Sequence, residues 1–497
     1  MVEWRAGDID LWPLASQDLF LDIFRNSGAD TAPPRQPFAI RAASTLATPA
    51  TNLWKSRADV AHWVPRPYRT DSILLGDGVS LDRVDGAWHD RFGEPIVEAL
   101  ERQGRSCFVM QSGNLTRLPW ARPTYSANQV GARAAVEAAL TKVPDVDLPE
   151  HSAVMELLNL AAIAAPSLTR ERLGRRARAV LAQAAGFDRL LERVQPKVAF
   201  VVTYYAGLGH AFALACRRRG ILCVDVQHCP HDGRHRAYSW SQVPTRGYST
   251  VPGLFWTWTD GDAAIVRGRN GSPWHRSISG GHTQIAALSE IESERLSQKL
   301  CSQDAKFDRE ILIALQPIGG RSDTWKALAA VIESAPPSWR WWIRRHPAST
   351  SVQNGQYAHL LSLRGRNMIA GERAEIPLPI LLRHMDAVVS LASGAGAEAA
   401  MFGVPSFFLD DEARDTFPGL LARGHAAIID ARSLVPAIAR LPANRVPMSI
   451  VAPPIEDTLG EIDRLADEYS LLCREMAFEK IDRSDGIVRE CQPPCAA

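Results

Sequence analysis

Net charge is nearly absent from this sequence: 56 lysines and arginines stand against 55 aspartates and glutamates in 497 residues. With no excess of either sign there is no long-range field to draw the chain to nucleic acid, which argues against a nucleic-acid partner. A disulfide framework is also missing. The eight cysteines, at 107, 216, 223, 229, 301, 473, 491 and 495, are scattered and show no paired CxxC spacing of a zinc site. Reduced thiols in the cytoplasm are the expectation, with no metal. Long hydrophobic runs are lacking too. The longest, Val198 to Cys216, is broken by Thr203, Tyr204, Tyr205, Gly207, Gly209 and His210, short of the ~20 nearly uninterrupted apolar residues of a membrane span. The start, Met1-Val2-Glu3-Trp4-Arg5, lacks the basic and then apolar order of an export signal. No Gly-Lys-Ser/Thr of a phosphate loop and no GxGxxG occur, which disfavours a nicotinamide dehydrogenase.

What is present is an alternating α/β pattern long enough for two cores. Strands are predicted over 72–75, 107–110, 196–203 and 221–226, with helices over 95–103 and 209–219 and a helical stretch over 148–193 broken at Pro166. A second series predicts strands over 310–315, 339–344, 387–390 and 406–409, with helices over 323–334, 376–384 and 395–402. Strands alternating with helices imply right-handed crossovers and parallel sheets. The predicted fold class is therefore α/β, with two Rossmann-like domains facing a central crevice. The domains are set at 1–245, 246–454 and 455–497, the last being a helix that crosses back onto the first domain and a tail. The first 70 residues, rich in proline, read as loops and short elements. The segment 230–252 is too long for a routine connection and reads as functional or mobile.

Ligands of open parallel sheets bind at the carboxyl ends of the strands. His228 follows one strand end directly and is suited by its pKa near 6.5 to accept a proton from a hydroxyl. His231 and Asp232 in the same loop, and Asp77 in Gly76-Asp77-Gly78, are rival bases. His346 precedes Pro347, which holds it extended and aims its ring at a developing charge. The loop Gln316-Pro317-Ile318-Gly319-Gly320-Arg321-Ser322 allows close backbone approach, with Arg321 able to pair with phosphate. A helix opening at Ser393-Gly394 presents backbone N–H groups that suit a phosphate. Glu398, one turn on, is placed to accept from ribose hydroxyls or simply to favour the helix dipole. Tryptophans 256, 258, 341 and 342 read as core. The basic run Arg170, Arg172, Arg175, Arg176 and Arg178 reads as a solvated helix face, with anionic lipid as the alternative.

Gln227-His228, His346-Pro347 and Ser393 through Gly403-Val404-Pro405 resemble, in order and spacing, the bacterial GT-B glycosyltransferases that build capsule and lipopolysaccharide. The polymerases that transfer glycerol phosphate from CDP-glycerol look similar at the same places. The resemblance spans roughly 70–430, and it departs at Cys229, where the family's glycine follows the histidine. It implies a metal-independent glycosyltransferase with no permanently bound cofactor. A nucleotide-sugar donor would be held by Gln316, Gly319, Arg321, His346, Ser393, Gly394 and Glu398, with His228, His346 and Asp232 catalytic. The implied acceptor is a glycan or lipid-linked glycan, reached from the cytoplasm or at the inner membrane's surface. A polyol-phosphate transferase with a CDP-linked donor, a nucleotide-sugar epimerase and a non-catalytic scaffold are the alternatives.

Overall fold

The computed structural model describes residues 3–27, 66–113, 119–231, 235–238, 240, 242–270, 272–287, 295, 307–316, 322–346, 357–363, 367–374, 376–442 and 453–484. Two short strands, β1 (Arg5–Ala6) and β2 (Ile9–Asp10), pair antiparallel ahead of a helix, Trp12–Ser27. The proline-rich start thus carries a 16-residue helix, and the expectation of only loops and short elements is corrected there.

The first sheet is seven-stranded and wholly parallel. Its central strand, β3 (Ser72–Gly76), is buried along its whole length. A hairpin of β4 (Leu81–Val84) and β5 (Ala87–Asp90) leaves the end of β3 and leads to the helix Glu94–Arg102. The sheet then takes in β6 (Cys107–Gln111), β7 (Tyr125–Ser126), β8 (Val198–Val202), β9 (Leu222–Val226), β10 (Leu254–Thr257) and β11 (Arg276–Ser279), in the order β11-β10-β9-β8-β3-β6-β7. Continuous apolar runs such as Val198–Val202 suit strands covered by helices on both faces.

Because β10 and β11 belong to this sheet, the first domain runs past residue 245. The boundary set at 245/246 moves to between Ala287 and Arg309. These two strands are only four residues each and carry Trp, Arg and Ser, so neither announces itself as an apolar run. The long segment before them is largely packing material, since Tyr238, Trp240 and Tyr248 are buried in the first core.

The second sheet is six-stranded and parallel: β12 (Arg309–Ala314), β13 (Trp339–Arg344), β14 (Met368–Ala370), β15 (Ala387–Ser390), β16 (Ser406–Phe408) and β17 (Ala426–Ile428), ordered β14-β13-β12-β15-β16-β17. Two arginines lie within the fully buried β13. Arg340 is matched by Glu310 on the neighbouring strand, Nη2 to Oε1 at 2.6 Å and Nε to Oε2 at 2.8 Å. Trp342 Nε1 donates to the same carboxylate at 2.7 Å. Buried charges survive only when paired in this way.

The helix Ile455–Ser484 returns to the first domain as expected. Ile455, Leu459, Ile462, Leu465, Ala466 and Tyr469 recur at helical spacing and join Leu222, Leu254 and Trp256 in one core. Arg105 clamps Asp463 with two bonds of 2.9 and 3.0 Å. Tryptophans 256, 258, 341 and 342 are buried, as core residues. No described helix is long and apolar enough to cross a membrane.

Candidate functional site at the domain junction

Strand ends of the two sheets meet at the junction. At the end of β3, Gly78 sits at φ +68°, where a Cβ would run into the Ser112 carbonyl, so the turn requires glycine. Asp77 closes it. One carboxylate oxygen accepts from the Val79 and Ser80 amides at 2.8 and 2.7 Å, and the other from the Ser80 and Thr203 hydroxyls at 2.9 Å each. Thr203, just past β8, has φ +61°, a strained conformation for a β-branched residue. Gln111 ties the turn to the hairpin by accepting from the Gly78 amide at 3.1 Å and donating to Asp90 at 2.6 Å.

His228 follows β9 and is held by Tyr205, Oη to Nε2 at 3.0 Å, while its Nδ1 is buried with no hydrogen-bond partner. Burial pushes its pKa down to about 4, and the Asp77 carboxylate pulls it back up. His346 follows β13 from the opposite domain. Burial, then Arg91 and Arg344, push it down to about 4, against the pull of Asp77. Both rings therefore feel Asp77 and Arg91, although they come from opposite domains. Each imidazole is neutral near neutral pH.

Cys229 keeps a negative φ and its carbonyl accepts from the Gln227 side chain at 2.9 Å. Glycine is thus not demanded by the backbone here. Gln227 also accepts from the Trp258 amide at 2.6 Å, so its amide fixes the loop rather than facing a ligand.

At the junction lies a set of buried charges of which the sequence singled out only Glu398. Arg91, after β5, places Nη2 3.0 Å from Glu398 Oε2, and its Nε 3.2 Å from Gln284 Oε1 and 3.5 Å from Asp82 Oδ2. Arg344 lies 3.6 Å from Asp82 Oδ1 and donates to the carbonyls of Ala374 and Ile376. Gln284 donates to Asp82 at 2.6 Å. Two ion pairs of opposite polarity thus cross the junction. Glu398 is held down at about 2: burial opposes its charge, but Arg91 and His282 outweigh it. His282 Nε2 is 3.5 Å from Glu398 Oε2, too long for a good hydrogen bond. The two-arginine content of β13 was a visible signal that anions must face it. Asp82 and Arg91 gave none, because their partners lie in distant parts of the chain.

Of the expected donor residues, Gln316 is corrected to a positioning role. Its amide is engaged at both ends by Ala392, donating to the carbonyl at 2.9 Å and accepting from the amide at 2.8 Å. Ser393 is buried, with its amide on Ser390 Oγ at 3.1 Å and its own hydroxyl accepting from Ala395 at 3.3 Å. The helix opened here is Ala395–Met401, and Gly394 precedes it without a side-chain cap. A Cβ on Gly394 would sit 3.1 Å from Pro230 Cδ, so the glycine lets the His228 loop close on the second domain. Asp232, Gly319 and Arg321 lie outside the described residues. In the basic run, Arg170 and Arg178 donate to the carbonyls of Val146 and Thr141, while Arg175 and Arg176 face Glu171 and Asp18 at 3.6 Å.

Residues 283–428 match the family described as capsule polysaccharide biosynthesis protein. The match runs from the helix Thr283–Ala287 to the end of β17 and includes His346, Ser393, Gly394 and Glu398. No curated protein matches the chain. Among solved structures, a UDP-GlcNAc 2-epimerase from Methanocaldococcus jannaschii is 11% identical, covers 79% of this chain and 98% of its own, and superposes with a TM-score of 0.46. A putative UDP-N-acetylglucosamine 2-epimerase from Listeria monocytogenes is 13% identical over 85% of this chain and 98% of its own, TM-score 0.46. The glycosyltransferase SnogD from Streptomyces nogalater is 15% identical over 82% and 99%, TM-score 0.40. Two parallel Rossmann-like domains with facing strand ends define a protein of GT-B type. The family match falls almost wholly in the second of these domains.

Proposed function

We propose that this protein is a metal-independent glycosyltransferase that moves a sugar from a nucleotide-activated donor to a surface polysaccharide or lipopolysaccharide acceptor. The observation that carries the reading is the 3.0 Å pairing of Arg91 with Glu398 across the junction, with His228 and His346, from opposite domains, both under the influence of Arg91 and Asp77. The match of the second domain to capsule biosynthesis supports it.

In this reading the acceptor hydroxyl attacks the anomeric carbon and its proton passes to His228, whose neutral ring keeps one buried nitrogen without a hydrogen-bond partner among the described residues. The bond from the anomeric carbon to the phosphate oxygen breaks, and the nucleotide leaves with the electron pair. His346 donates to that phosphate, and Arg91 and Arg344 add positive potential where negative charge grows. Asp77, locked by four donors, stays in place to stabilise the imidazolium formed at His228. Closure of the two domains excludes water that would hydrolyse the donor.

The test is product analysis with nucleotide sugars and a bacterial glycan acceptor. A lengthened glycan with release of a nucleoside diphosphate, or of CMP from a CMP-sugar, is expected, and His228→Ala and His346→Ala should each abolish it. Full transfer by both variants would sink the reading. CMP together with a new phosphodiester would identify polyol-phosphate transfer instead, and donor turnover without acceptor would identify an epimerase.

A further inference from the structure

A second concavity, about 340 Å³ in volume, lies at the domain junction on the other flank of the helix Ala395–Met401. Glu398 points from that helix to Arg91, whereas Ala397, Ala400 and Met401 line the cavity. Pro230, which lines the cavity, also approaches Gly394 so closely that a Cβ there would lie 3.1 Å from its Cδ. From the first domain, His231 and Trp258 form one wall; from the second, Phe417 faces them. His231 is 5% exposed and packs its ring against Tyr238 at 3.9 Å between centroids, yet both its ring nitrogens lack a hydrogen-bond partner among the described residues. Such a group costs free energy until something fills it. Arg423 and Asp262 add one charge of each sign to the lining.

Aromatic walls with a few polar groups in a space of this size suit a small, hydroxyl-rich ring. The nucleotide's charge has no comparable match here, since the buried arginines are on the other flank. His231 is also only three residues along the loop from His228. We propose that this cavity is a saccharide subsite that holds a sugar unit of the acceptor beside the reaction centre. The assignment to the acceptor rests on the transferase reading; the binding of a saccharide does not.

The full chain is probed by saturation-transfer NMR with N-acetylglucosamine, glucuronic acid and galactose, each alone and then with CMP or UDP added. At least one sugar should give a signal that falls about tenfold in Ala400→Trp, which fills the space, and that survives added nucleotide. Thr416→Trp, at the half-buried rim, should give the same loss without disturbing the core. No sugar signal from wild type, a signal unchanged in both variants, or displacement by nucleotide would each overturn the subsite. Sugar binding that behaves as expected in a protein without transfer activity would sink only the transferase reading.

Discussion

The two sides of the junction are built from different materials. On the first domain the strand ends carry titratable side chains locked by one another: Asp77 under four donors, Asp225 accepting from the Tyr204 amide and the Tyr238 hydroxyl, and His228 on Tyr205. On the second domain the strand ends are mostly backbone, shaped by Gln316 on Ala392 and by the closely approached Gly394. His346 is the exception. Fixed acids and bases suit proton transfer, while on the second domain the Ala392, Ser393 and Ala395 amides already donate to Gln316, Ser390 and Ser393, which sets the loop's shape around Gly394. Under the proposed function, chemistry and donor holding fall on different domains, and mutations should separate them.

His228→Ala should therefore lower kcat by ~10²–10⁴, the usual worth of a general base, while leaving donor KM within about twofold. Gln316→Ala should do the reverse and raise donor KM through a loosened Ala392 loop; steady-state kinetics on both variants checks the contrast. Arg91→Met would strand Glu398 in a buried site and should destabilise the protein by ~3–5 kcal/mol. The double variant Arg91→Met with Glu398→Leu should recover most of that loss in denaturant unfolding. If the double variant is as unstable as the single one, the pair is not what ties the domains.

The pH dependence of stability divides by residue type. Burial pushes His210 and His275 down to about 3 from the ordinary 6.5. The unfolded chain thus takes up protons that the fold refuses, and stability present above about 6.5 is lost as pH falls towards 3. Asp90 and Asp225 act oppositely: burial raises both to about 7 from 3.8. The fold keeps their protons, so their contribution is lost as pH rises from about 4 to 7. Asp225→Asn should remove one opposing group and steepen the rise of stability with pH over that window, measured by urea midpoints at several pH values. The smallest effect is expected from Thr203→Gly. Relief of the positive φ is offset by chain entropy and a lost hydrogen bond, so stability should change by less than ~1 kcal/mol. Activity should still fall as Asp77 loses an anchor.

Much of the fold was legible because the strands that matter are apolar runs ending in turn or loop residues. Val198–Val202 and Ala387–Ser390 are of this kind, and the helix over Ile455–Ser484 showed its stripe. Histidines at two such ends, and the small residues at 393–396, were legible for the same reason. β10 and β11 were not, since four-residue strands with mixed polarity carry too little pattern. The interdomain charges were invisible for a different reason: Arg91 and Glu398 are 307 residues apart, and no local spacing encodes such a pair. The hold of Gln316 on Ala392 was not legible, because a glutamine at a strand end looks alike whether it faces a ligand or its own backbone.

The central claim is that the second domain holds the nucleotide and the first supplies the base. It is tested most directly by thermal shifts with CMP, CDP, UDP, GDP and TDP on wild type, His228→Ala and His346→Ala. At a hundredfold excess over Kd, binding adds ~2.7 kcal/mol, which at roughly 2 to 4 °C per kcal/mol for a domain of about 150 to 250 residues is a shift of roughly 5 to 11 °C. The account predicts such a shift with one nucleotide in wild type and in His228→Ala, and its loss in His346→Ala. Silence from folded wild type, or a shift lost in His228→Ala and kept in His346→Ala, would contradict it.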